Sequence, residues 1–188
     1  STVRIEKLQE HYNVNVKWMF FPLHPETPTD GATLEELFAG RNIDIDAMYA
    51  RMKKLMDEEG LPYGQRTHTY NSRLAQELAV WADSMPGFEA LHDKLYRAYF
   101  VERQNIGCVD VLVEVAGSVG LDVDAAREVL EQRTHKDEIS AHWEQARSYG
   151  VTGVPTFVAG GYGVVGAQPY EHLSGLMAQI GASERASV

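Results

Sequence analysis

The apolar residues change their period twice along this chain of 188 residues. Val14, Val16, Trp18 and Phe20 alternate with Asn15, Lys17 and Met19, the period of a half-buried strand. From Thr33 to Tyr149 the spacing is helical, and from Val154 to Val165 it reverts to strand. Strand-like sequence at both ends reaches a common sheet only if the block between is an insertion. The expected architecture is therefore α/β: a small layered domain interrupted by a helical subdomain. The expected divisions are 1–32 with 139–188 for the layered domain and 33–138 for the insertion. No internal repeat, low-complexity tract or linker breaks this pattern.

Local signals fix most of the expected helices. Ile5, Leu8 and Tyr12 share a helical face that stops at Asn13, and Pro22, Pro25 and Pro28 keep the following loop extended. Thr33-Leu-Glu-Glu36 is a capping box, with Gly40 as the stop. Ile45, Met48, Met52, Leu55 and Met56 form one stripe over 44–59, closed by Gly60. Asn71 or Ser72 can cap a helix over Arg73–Asp83. Phe88, Leu91, His92, Leu95, Tyr96, Tyr99 and Phe100 form the strongest amphipathic stripe in the chain. Further helices are expected over Cys108–Val119, over Ala125–Arg133 behind Asp122 or Asp124, and over Glu138–Tyr149 up to Gly150. Pro169 suits the first turn of a closing helix that runs to Gly181.

Composition narrows the function. The formal net charge is -10, from 17 Lys and Arg against 27 Asp and Glu, with no dense basic cluster to reverse it locally. Such a surface repels phosphate backbones, so nucleic acid is excluded as the expected partner. No apolar run approaches the ~20 residues that a membrane span needs. Cys108 is the only cysteine, so no intramolecular disulfide can form. A reducing compartment, the cytoplasm, is the expectation.

Several motifs fit structural roles better than chemical ones. Gly161-Tyr-Gly163-Val-Val-Gly166 matches G-x-G-x-x-G, but Val164-Val165 reads as strand where a dinucleotide site needs a helix. A hairpin turn accounts for these glycines. His135 and His142 could share a helical face, yet paired Cys/His spacing is missing and no metal is expected. Ser118, in Ala-Gly-Ser-Val-Gly, lacks the spacing of a nucleophile elbow and suits a helix end. Cys108 sits among Val109, Val111 and Leu112 and reads as a buried small hydrophobe.

Gly150-Val-Thr-Gly153-Val-Pro155-Thr-Phe157 stands apart. Pro155 opens a strongly strand-like segment directly after a glycine-bounded turn, where it removes a ladder donor. Either a cis Val154–Pro155 bond or a trans proline on an edge strand meets that constraint.

This stretch resembles the cis-proline loop of the DsbA-like branch of the thioredoxin superfamily. Tyr162-Gly-Val-Val-Gly166-Ala-Gln-Pro169 is similar to the FrnE-type members of that branch, which are linked to polyketide biosynthesis. Asn71-Ser-Arg-Leu-Ala75 and Arg97-Ala-Tyr-Phe100, running on to Asn105-Ile106, resemble the same group. The resemblance implies a thioredoxin-like fold with the all-helical subdomain inserted after the second core strand. It also implies a Cys-x-x-Cys a few residues before Ser1, so the first core strand and the redox dithiol are missing from this chain. With them absent, the 188 residues alone are expected to be inactive. The strand that should separate Val14–Phe21 from Val154–Val158 would then be supplied upstream or by another chain.

Of the family's functional elements, the cis-proline loop maps onto Val154-Pro155. Pro155 takes the catalytic position, facing the N-terminal end of the Thr2–Tyr12 helix, and Val154 and Thr156 are the substrate-binding positions. The implied activity is thiol–disulfide exchange on a protein or small-molecule substrate, with no cofactor and with a homodimer compatible. Two other readings remain. Kappa-class glutathione transferases and 2-hydroxychromene-2-carboxylate isomerases also join a thioredoxin fold to a helical insertion. They tend to carry an aromatic-Gly-x-Asp-Arg-Leu pattern where this chain has Val165-Gly-Ala-Gln-Pro-Tyr170. A catalytically inactive peptide-binding module is the third.

Overall fold

Thr33, Asp44 and Asp122 cap the helices that follow them, and the left-handed glycines Gly60, Gly120, Gly150 and Gly181 follow the ends of four helices. A computed structural model describes residues 2–85, 88 and 90–185. The chain falls into two compact units, 1–23 with 142–188, and 24–141. The sequence pattern places these divisions at 32/33 and 138/139. The proline-rich loop goes with the helical unit because two asparagines hold it. Asn71 Nδ2 donates to the carbonyls of Pro25 (3.1 Å) and Thr27 (2.9 Å), and Asn105 Nδ2 donates to that of Thr29 (2.9 Å).

The 24–141 unit opens with β1 (Ala32–Thr33) and a one-turn helix, α2 (Leu34–Leu37). The capping box is present: Glu36 N–H donates to Thr33 Oγ1 at 3.0 Å, and Thr33 N–H donates to Glu36 Oε2 at 2.8 Å. α3 (Ile45–Glu58) follows, with Asp44 accepting from Ala47 N–H. The methionine stripe of α3 is not core, since the helix has no buried residue. β2 (His68–Thr69) pairs antiparallel with β1, Ala32 opposite Thr69. The insertion is thus not purely helical. This two-residue ladder is invisible to periodicity because each strand spans only a single two-residue repeat.

α4 (Arg73–Asp83), α5 (Ala90–Phe100), α6 (Val109–Ser118) and α7 (Val123–Gln132) form the core of this unit, α7 packing on both α4 and α6. Leu78, Leu91, Leu112 and Leu130 are fully buried there. Ala75 through Val80 of α4 are all buried, so this helix is enclosed on every side rather than along one stripe. Asp122 caps α7, accepting from Asp124 and Ala125 N–H. Ser118 ends α6 with its hydroxyl on the Val115 carbonyl (2.7 Å), the helix-end role expected of it. Cys108 is the N-cap residue of α6 and is half-buried, less enclosed than its apolar neighbours suggest.

Gly31 is where a side chain is least tolerable. Its φ is +88°, and an added Cβ would lie 2.5 Å and 2.6 Å from the Tyr70 ring and 2.8 Å from the Thr69 carbonyl oxygen. Gly40 has a similar φ of +75° with open space around it. Gly31→Ala is expected to cost roughly 1–3 kcal/mol in urea denaturation, and Gly40→Ala about 1 kcal/mol, the backbone term alone. Equal costs would show that the Tyr70 ring moves aside freely.

α8 (Lys136–Ser148) runs across the division. The 1–23 and 142–188 unit contains α1 (Thr2–His11), β3 (Thr156–Ala159), β4 (Tyr162–Val165) and α9 (Tyr170–Gln179). β3 and β4 form an antiparallel hairpin with Thr156 opposite Val165 and Ala159 opposite Tyr162. Gly160 (φ +56°) and Gly161 (φ +85°) make its two-residue turn. The glycine motif is therefore a hairpin, and Gly163 lies inside β4. α1 packs on α9 around Ile5, Leu8, Tyr12, Leu173, Leu176 and Met177. Phe157, Ala159 and Val164 lay one face of the hairpin against that cluster.

The strand expected at Val14–Phe21 does not form. Val14 and Val16 still pack on the α1–α9 cluster with Asn15 and Lys17 exposed, but the expected alternation breaks at Trp18, which is 52% exposed while Met19 is half-buried. A strand needs a neighbour to receive its N–H and C=O groups. The nearest bridge, between Tyr12 and Glu184, lies just before the segment, and Val14 N–H turns back to the Tyr12 carbonyl at 3.0 Å instead of reaching a strand. The segment does not pair with β3, whose sheet contains β3 and β4 alone. No helix among the described residues is long and apolar enough to cross a membrane.

Candidate functional site

The Pro155 loop connects α8 to β3, and backbone hydrogen bonds set its shape. Gly150 takes φ +69° at the end of α8, and Val151 N–H donates back to the Ala146 carbonyl at 3.1 Å, turning the chain out of the helix. Thr156 Oγ1 donates to the Gly153 carbonyl at 2.7 Å, closing a short turn over Val154 and Pro155. The Val154–Pro155 peptide bond is cis. The Pro155 carbonyl accepts from Gly166 N–H at 2.8 Å, extending the hairpin ladder one step beyond Thr156 and Val165.

That arrangement leaves Val154 distinct from its neighbours. Its side chain is on the surface, 52% exposed. Its own N–H and C=O have no hydrogen-bond partner among the described residues. Pro155 has no N–H to offer, so the backbone face at this point consists of the Val154 donor and acceptor. An extended chain laid beside it could exchange a pair of strand-type hydrogen bonds.

Of the three expected positions, the structure puts Val154, Pro155 and Thr156 in one continuous turn with different tasks. Val154 is open, Pro155 anchors the ladder through its carbonyl, and Thr156 ties the turn closed with its hydroxyl. The Thr156 hydroxyl proton is used in closing the turn, and its oxygen retains acceptor capacity. A second layer went unread in the sequence. Gly166 (φ +92°) supplies the N–H under Pro155, and Gln168 follows it. Gln168 Nε2 donates to the Val165 carbonyl (2.7 Å), and the Gln168 backbone carbonyl accepts from Arg4 Nη1 of α1 (2.6 Å). The sequence signal for this layer was the Tyr162–Pro169 stretch that carries the family resemblance, which by itself assigned no role to Gly166 or Gln168.

The residues weighed for metal or nucleophilic chemistry stand outside this turn. His135 Nδ1 lies 3.2 Å from Glu138 Oε2, and His142 stacks on Phe20 at 5.8 Å between ring centroids. No group of three or more His, Cys, Asp or Glu among the described residues could hold a metal ion.

Residues 2–178 match the DSBA-like thioredoxin domain, so the chain belongs to that family. Over 164 residues it is 30% identical to YwbO, an uncharacterized protein of Bacillus subtilis strain 168, covering 82% of this chain and 76% of that protein. Its fold is similar to that of a 2-hydroxychromene-2-carboxylate isomerase, with a TM-score of 0.68 at 17% identity over 95% of this chain and 85% of that one. It is also similar to a candidate protein disulfide isomerase from Nitrosomonas europaea, with a TM-score of 0.57 at 14% identity over 71% and 72% of the two chains. The chain thus has the thioredoxin-like DsbA fold with a helical insertion and few strands.

Proposed function

We propose that this chain is the substrate-receiving part of a FrnE-type thiol–disulfide oxidoreductase, a cytoplasmic enzyme acting on a protein or small-molecule thiol or disulfide. The observation that carries this reading is that Val154, an exposed residue next to Pro155, has a backbone N–H and C=O without partners among the described residues, in a chain of the DSBA-like family. Val154 would pair with an extended substrate segment and bring its sulfur to the redox centre, while Thr156 keeps the turn in shape.

The exchange itself needs two sulfurs. One thiolate attacks a disulfide sulfur, forming a mixed disulfide and expelling the second sulfur as thiolate. A neighbouring thiolate then breaks the mixed disulfide and completes the transfer of two electrons. Cys108, the only cysteine here, cannot take both parts. The redox dithiol we propose therefore precedes residue 1, at the start of the helix that α1 continues, where the helix terminus lowers a thiol pKa.

The test compares residues 1–188 with a polypeptide extended upstream through the encoded cysteines, each assayed for oxidation of a reduced two-cysteine peptide. The extended form is expected to turn over and residues 1–188 to be silent. Oxidation by residues 1–188 that survives Cys108→Ser would overturn the mechanism. Glutathione-dependent isomerisation by the extended form, without peptide oxidation, would move the assignment to the isomerase and transferase reading. Peptide binding with neither reaction would identify a binding module.

A further inference from the structure

The 24–141 unit contains a cationic recess that the redox reading does not use. It is lined by Arg66, Thr67, His68, Tyr70, Tyr99 and Arg103, which come from the approach to α4 and from the C-terminal end of α5 and beyond. Arg66 is locked in place. Its guanidinium lies 4.6 Å from the Tyr99 ring centroid and 5.1 Å from that of Phe100, and Nη1 donates to the Tyr99 hydroxyl. That hydroxyl is also 3.2 Å from Thr69 Oγ1. His68 stacks on Tyr70, and Tyr70 meets Tyr99 edge-on, so the aromatic wall is continuous.

One edge of this fixed guanidinium is unused. Arg66 Nε is buried and has no hydrogen-bond partner. A buried guanidinium N–H without an acceptor is uncommon and calls for one. No carboxylate lies within ion-pair distance of Arg66, Arg41 or Arg103 among the described residues, although acids outnumber bases in the chain. Glu36 is the acid whose charge reaches His68, and its carboxylate is occupied by Thr33. Burial, reinforced by the charges of Arg41 and Arg66, holds His24 below its ordinary pKa, so the positive field extends beyond the recess itself. Arg103 is exposed and adopts the left-handed backbone (φ +62°) that non-glycine residues seldom take.

We infer that this recess is an oxyanion subsite, in which the Nε and Nη2 edge of Arg66 takes two oxygens of one carboxylate or phosphate and Arg103 closes over it. The side-on edge of a guanidinium presents two parallel N–H groups at the spacing of two oxygens on one carbon or phosphorus. Tyr99 and Phe100 fix its plane, so little side-chain freedom is lost on binding. The subsite would hold the acidic end of a small ligand, independently of any thiol chemistry.

The test is a titration of the 188-residue chain with sodium acetate and, separately, sodium phosphate at constant ionic strength. It is followed by NMR at the Arg66 Nε–H and the His68 backbone amide. A saturable shift of both reporters in the millimolar range is expected with at least one probe, and the tighter of the two identifies carboxylate or phosphate as the group recognised. Arg66→Lys keeps the charge and removes the two-pronged edge. It should weaken binding roughly tenfold at the His68 reporter. Arg103→Asn suits the left-handed backbone and lies on the surface, so it should fold as well as the parent and weaken binding about threefold at the Arg66 reporter. Shifts that stay linear with both probes would overturn the subsite and leave Nε a buried donor with no ligand to receive it. Undiminished affinity in the folded Arg66→Lys chain would do the same. Should Arg66→Lys fail to fold, undiminished affinity in Arg103→Asn overturns the proposal.

Discussion

Glu77→Ala is expected to destabilise the 24–141 unit by about 3–5 kcal/mol, enough to unfold a large fraction of a marginally stable domain. Glu77 is 0% exposed in the middle of α4 and binds two guanidinium groups. Arg133 reaches it two-pronged, Nε to Oε2 at 2.6 Å and Nη2 to Oε1 at 2.7 Å. Arg73 Nε adds a 3.1 Å bond from one turn earlier on the same helix. Arg73 also ties the start of α8, donating through Nη2 to the Lys136 carbonyl (2.8 Å) and to Ser140 Oγ (2.7 Å). Loss of Glu77 therefore loosens the junction of α4, α7 and α8 together. Both arginines are partly exposed and can regain water, which favours the lower end of that range.

Glu77 also sets an acid limit. Burial alone would raise its pKa, but the hydrogen bonds and charges of Arg133 and Arg73 outweigh that and hold it below the ordinary value. A depressed folded pKa contributes stability at pH values above the unfolded value of 4.5, and that stability is lost as pH falls through the folded value. Urea titrations at neutral pH and near pH 3 should show the parent losing more stability on acidification than Glu77→Gln. Equal losses in the two would mean that the cluster contributes nothing to acid sensitivity.

Leu173→Ala is expected to cost about 2–5 kcal/mol in the 1–23 and 142–188 unit. Leu173 is 1% exposed and sits in the small α1–α9 cluster, against which Phe157 and Val164 hold the hairpin. A core with so few large side chains has little with which to refill a cavity. Val158→Ala, on the opposite and exposed face of β3, is expected to change stability by less than about 0.5 kcal/mol. The pair contrasts a buried with an exposed aliphatic side chain in the same unit, Leu173 on α9 and Val158 on β3. Equal losses in urea denaturation would place the core on the wrong face of the hairpin.

What could be read from the chain alone was whatever neighbouring residues decide among themselves. The Thr33–Glu36 capping box, the Asp122 cap of α7 and the Gly160–Gly161 turn each involve residues within a few positions of one another, and all are present. The Gly-Val-Pro-Thr-Phe signature and the change of apolar period likewise led to the DSBA-like family and its helical insertion. Val14–Phe21 shows where that reading stops: its alternation places Val14 and Val16 inward, but a ladder depends on a second strand that its own residues do not encode. Glu77 meets Arg133 from 56 residues away, and Arg66 meets Tyr99 from 33 away. Nothing in the spacing of either pair distinguishes it from ordinary surface charge. Only packing removes the water around Glu77 and Arg66 Nε, and desolvation is what turns an unremarkable charge into a buried ion cluster or a binding edge.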